Sequence, residues 1–146
     1  MPKPALAPLS LVGGSTGCLL VHGFTSCPLD VRPLSRHLHK GGYTVQEVLL
    51  PGHGTNYQDM EKYGAGDWLA AVEDELAALQ GQCPQVWLVG FSLGGTLAAM
   101  AAARNSVQGL VSIAAPIWIW PRRARFAGIL RYAQKYAELG KGQEFR

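Results

Sequence analysis

Charge is scarce in this chain. Only 16% of its 146 residues are charged, few for so short a polypeptide, which ordinarily wraps a small core in a larger ionic surface. The composition reads as the interior part of something larger. Cysteine is scarce too: Cys18, Cys27 and Cys83 are odd in number and form no CxxC pair. That argues against a disulfide framework, and reduced thiols in a cytoplasmic protein are the expectation. No stretch approaches the ~20 apolar residues of a spanning helix, so no membrane span is expected. The opening MPKPALAPLSLVGG has three prolines and no uninterrupted apolar core, and it reads poorly as a signal peptide. One scarcity is positional. After Ser92 there is no aspartate and no histidine, and only Glu138 and Glu144 carry carboxylates.

Apolar residues are plentiful. At 48% of the chain they suffice for one modest core. The formal charge of +3 is uneven: residues 1–121 hold 6 Lys+Arg against 8 Asp+Glu, a balance of −2, and residues 122–146 hold 7 against 2, a balance of +5. A basic tail can bind nucleic acid. Here Phe126, Ile129, Leu130, Ala133 and Ala137 give the same segment an apolar face, so an amphipathic helix with a solvated basic side is the expectation and no nucleic-acid partner is implied.

Short apolar runs alternate with helix-period segments, the signature of βαβ units and a parallel sheet. Strands are expected at 18–23, 43–52, 85–90 and 109–116. Helices are expected at 28–42 (the helix proper from about Pro33), 67–80 and 94–104. Leu29, Leu34 and Leu38 share a face of the first helix, and Gly41-Gly42 stops it. Asp67 is the candidate N-cap of the second. The character changes at IWIWP, 117–121. Residues 1–116 therefore read as the core, and 117–146 as the start of a separate helical element.

Gly-Phe-Ser-Leu-Gly at 90–94 stands where a strand turns into a helix. A nucleophile elbow needs that context, because a turn sharp enough to expose the serine leaves no room for side chains two residues to either side. Gly90 and Gly94 meet the requirement, and the helix dipole favours negative charge at Ser92. The plainer reading is that Ser92 only caps the helix. A second element counts against it. LLVHGFT, 19–25, is another strand ending in a tight turn, and acyl transfer to serine needs two backbone N–H donors at the developing oxyanion. Leu93 would give one and Phe24 the other. His22-Gly23 shapes that turn, His22 being read as a hydrogen-bonded structural histidine. His37 and His39 lie two apart on a helix and point to different faces, which speaks against a metal site; His53 in PGHGT reads as a turn residue.

LLVHGFT, GHGT (52–55), DW (67–68) and GFSLGG together resemble the α/β-hydrolase fold, over roughly residues 17–140. More narrowly the chain is similar to small bacterial carboxylesterases and monoacylglycerol lipases. The resemblance implies a mostly parallel sheet flanked by helices, here ending before the last strands. It implies Ser92 as nucleophile, Phe24 and Leu93 as oxyanion hole, and a helical cap beginning near residue 117. Trp118 and Trp120 are candidates to line a pocket for an acyl-ester substrate, packing between cap and core being the plainer reading. No cofactor or metal is implied. In such a fold the acid and the histidine follow the serine, and neither is present here. The expectation is an esterase whose triad is incomplete in this chain. The alternative is an inactive module binding an apolar ligand or partner. An unpaired edge at 109–116 is expected to favour self-association.

Overall fold

The computed structural model describes residues 7–116. Trp118, Trp120 and the basic segment lie outside the described residues. Five strands, β1 (Ser10–Leu11), β2 (Thr16–Val21), β3 (Thr44–Val48), β4 (Gln85–Phe91) and β5 (Gly109–Ile113), alternate with α1 (Arg32–Lys40), α2 (Tyr57–Met60), α3 (Ala65–Gln80) and α4 (Leu93–Ala102). They form one sheet in the order β1-β3-β2-β4-β5. The pairs β3-β2, β2-β4 and β4-β5 are parallel; β1 runs antiparallel to β3.

The apolar run of β2 leaves Leu19, Leu20 and Val21 without exposure, as expected of a central strand covered on both faces. Leu19 and Val21 join Val48, Leu88 and the buried faces of α3 and α4. Cys18 and Leu20 join Val45 and Val89 beneath Leu34 and Leu38 of α1. Leu29, expected on that α1 face, sits in the 3-10 turn Pro28–Asp30 and is 41% exposed.

Other expected boundaries also move. The strand expected over 109–116 ends at Ile113, because Ala114 takes φ 51° and leaves the extended region. The helix expected from Asp67 begins at Ala65, with Gly64 as N-cap. Asp67 is its third residue and accepts the Gly64 N–H at 2.8 Å, so it caps from inside the helix. Strand β1 has no alternation to announce it. It is tied down instead by Glu47, whose Oε2 accepts the Leu9 N–H at 2.9 Å and meets Arg32 Nη2 at 2.9 Å.

The order of the strands decides where a site can form. From β2 the chain goes outward through α1 to β3, and from β4 it goes the other way through α4 to β5. The two connections part between the carboxyl ends of β2 and β4, the switch point at which open α/β sheets leave a crevice.

Candidate active site

Both motifs singled out in the sequence meet at that crevice. Ser92 follows β4 with φ 53° and ψ −122°, a conformation that costs a non-glycine residue of order 1–3 kcal/mol and persists only where the surroundings impose it. Its N–H donates to the Ile113 carbonyl at 2.9 Å and its carbonyl accepts the Gly95 N–H at 2.9 Å, so β5 and α4 hold the strained turn from both sides. The flanking glycines are required by space. A Cβ on Gly90 would lie 2.2 Å from the Gly94 carbonyl oxygen; one on Gly94 would lie 2.2 Å from the oxygen of Val21 and 2.4 Å from that of His22. These neighbours are backbone and cannot swing aside. Ser92 itself is half-buried, and its hydroxyl makes no hydrogen bond among the described residues.

The turn after β2 lies against the elbow: a Cβ on Gly23 would sit 3.4 Å from Ser92 Cβ. Phe24 follows at 53% exposure, then Thr25 at φ 58°, an unusual conformation for a β-branched residue. Leu93 opens α4, so its N–H has no carbonyl one turn back. Among the described residues no backbone acceptor meets the Phe24 N–H. Two free donors thus flank the serine from two elements.

The histidines do something else. His22 is fully buried. Its Nδ1 lies 2.9 Å from the Gly23 carbonyl and its Nε2 accepts the Leu50 N–H at 3.2 Å. A carbonyl only accepts and an amide N–H only donates, so the ring is neutral with its proton on Nδ1. Burial holds its pKa down at about 4, aided by the nearby His53 and outweighing the Gly23 hydrogen bond. His53, 3% exposed, has its pKa lowered by burial as well. It lies beneath Phe24 with Trp68, a residue of the DW pair whose role sequence reasoning left open. Among the described residues no group of three or more His, Cys, Asp or Glu is placed to hold a metal ion.

A family model described as "Alpha/beta hydrolase family" matches residues 18–145. The chain belongs to the alpha/beta hydrolase family. The chain is 41% identical over 111 residues to the thermostable monoacylglycerol lipase of Bacillus sp. (strain H-257), covering 75% of this chain and 44% of that protein. It is 32% identical over 139 residues to a carboxylesterase of Bacillus subtilis (strain 168), covering 94% of this chain and 56% of the relative. A solved structure from a study of two metagenome-derived lipolytic enzymes, LipS and LipT, superposes with a TM-score of 0.82 at 31% identity, over 86% of this chain and 52% of that one. The chain thus spans about half the length of the relatives it matches, and it falls among esterase- and lipase-type hydrolases.

Proposed function

We propose that the chain carries the nucleophile and oxyanion hole of a serine carboxylesterase acting on short- to medium-chain acyl esters or monoacylglycerols. In this reading Ser92 Oγ attacks the ester carbonyl carbon. The N–H groups of Phe24 and Leu93 stabilise the oxyanion, the alcohol leaves with a proton, and water releases the acid from the acyl-serine. An aspartate–histidine pair from outside residues 1–146 takes up the serine proton and returns it to the leaving alcohol. His22 is unsuited to that task because both its nitrogens are engaged. The observation that carries the reading is the strained φ of Ser92 beside the Gly23–Phe24 turn. The names of the two Bacillus relatives support the choice of ester. The free thiols Cys18, Cys27 and Cys83 suit a reducing cytoplasm.

A second reading, an inactive module that binds an apolar ligand, is favoured by the lack of any aspartate or histidine after Ser92. Mass spectrometry after incubation with a fluorophosphonate decides between them, with Ser92→Ala as control. One adduct per chain, lost in the control, is the expected result for an activated serine. Absence of an adduct from folded residues 1–146 means that they carry the nucleophile without its base; absence of an adduct even from a protein extended through the aspartate–histidine pair overturns the hydrolytic reading in favour of the module.

A further inference from the structure

Four rings are packed under and around the turn that presents the Phe24 N–H. Phe24 meets His53 edge-on with ring centroids 6.0 Å apart and Trp68 edge-on at 5.9 Å. His53 and Trp68 meet each other at 5.3 Å, and His53 lies 5.2 Å from His22. All these separations fall in the range at which aromatic pairs attract beyond their buried area. The donors converge as well: Trp68 Nε1 donates to the Pro51 carbonyl at 3.0 Å, and His53 Nδ1 donates to the same oxygen at 3.2 Å. One carbonyl therefore joins the first turn of α3 to the loop after β3.

His53 is an odd residue to bury for stability alone. Its Nε2 is enclosed without a hydrogen-bond partner among the described residues, and an unmade acceptor costs free energy that a leucine of similar size would not. What leucine lacks is a flat ring with a donor in its plane. Such a ring fits between Phe24, Trp68 and His22 and still reaches Pro51. The turn above it has reason to need a support. Thr25 is held at φ 58°, and a β-branched residue so placed tends to relax the turn it belongs to. The backbone bond that closes the turn is long: Ser26 N–H reaches the Gly23 carbonyl at 3.3 Å.

We infer that His53 and Trp68 are positioning residues for the oxyanion hole: their rings clamp the Phe24 side chain, and their shared bond to Pro51 fixes the clamp, so that the Phe24 N–H keeps its place beside Ser92. This rests on the reading of Phe24 as an oxyanion donor.

The test is backbone ¹⁵N relaxation on the whole chain, alongside the rate of fluorophosphonate labelling at Ser92. His53→Asn keeps a donor for Pro51 but removes the ring. It lowers the Phe24 amide order parameter from about 0.85 to below about 0.6, and it slows labelling by roughly 10²-fold, the loss of one oxyanion donor. His53→Phe restores the ring without its bond to Pro51 and returns part of the Phe24 order. Should His53→Asn not fold, Trp68→Leu is read the same way. A folded variant of either kind with Phe24 order unchanged overturns the inference. The order parameter does not depend on reactivity. If the wild type takes no label while Phe24 still loosens in the variants, the clamp stands and Ser92 lacks its base within residues 1–146.

Discussion

The Leu50 N–H donates to His22 Nε2 at 3.2 Å, and this bond decides what the histidine nearest the elbow can do. With Nδ1–H committed to Gly23, the imidazole has no lone pair left for the Ser92 proton. Protonating it would break the Leu50 bond and place a charge in a site without exposure.

A pH dependence of stability follows. The pKa of His22 is held at about 4 in the fold, below its ordinary 6.5, so the unfolded chain takes up the proton first. The contribution is fully present above pH 6.5 and is lost as pH falls toward 4, by about 3 kcal/mol. His53 shifts in the same direction and adds to the slope. Denaturant unfolding at pH 7, 5.5 and 4 should trace this fall, and His22→Asn should flatten it. A wild-type profile that is level over that range contradicts the assignment.

Gly94→Ala should be among the most damaging small substitutions. The new methyl would meet the carbonyl oxygens of Val21 and His22 at 2.2 and 2.4 Å, forcing α4 away from β2. Overpacking of this kind costs about 1–3 kcal/mol or more. Thermal unfolding measures it, and loss of Ser92 labelling should accompany it. A variant as stable as the wild type would show that the helix can move freely.

Ser92→Gly should raise the melting temperature above that of Ser92→Ala. Both remove the hydroxyl, but only glycine takes φ 53° without strain. The gap between the two variants reads that strain, about 1 kcal/mol once the greater freedom of unfolded glycine is offset. Ala114→Gly, at φ 51°, should stabilise by a similar amount. Equal melting temperatures for the two serine variants would mean that the elbow relaxes.

Arg32→Met leaves the Glu47 carboxylate enclosed, its side chain having no exposure. Removing one partner of a buried pair costs about 3–5 kcal/mol. Hydrogen exchange should show β1 released first, because Leu9 is bonded to the same carboxylate oxygen. The double variant Arg32→Met/Glu47→Gln should recover most of the loss. If the single variant is as stable as the wild type, the pair contributes nothing net.

Much of this architecture is legible in the chain. The run CLLV announces a covered strand, and all four of its residues are buried in β2. The 3.6-residue spacing of Leu69, Val72, Leu76 and Leu79 announces α3, and all four are buried. Gly90 and Gly94 around Ser92 mark a turn too tight for side chains, and a Cβ at either glycine would meet a backbone oxygen at 2.2 Å. Each of these features is local: it depends on a few consecutive residues and the geometry of one helix or strand. The oxyanion roles of Phe24 and Leu93 remain a proposal built on where those residues stand.

What lay beyond the sequence depends on partners distant along it. Strand β1 forms because Glu47, 38 positions on, accepts the Leu9 N–H, and two residues carry no periodicity that could announce it. The HG dipeptide marks a turn, but only Leu50 and Gly23 decide which nitrogen of His22 holds the proton. Phe24, His53 and Trp68 belong to three separate segments, and nothing in PGHGT or DW says that their rings meet. By itself the sequence determined the four longer strands, the three longer helices and the sharp turn at Ser92, since backbone sterics and hydrophobic period act over short spans. Only the tertiary structure decided that the turns after β2 and β4 converge, because that depends on strand order, which sets the switch point of the sheet.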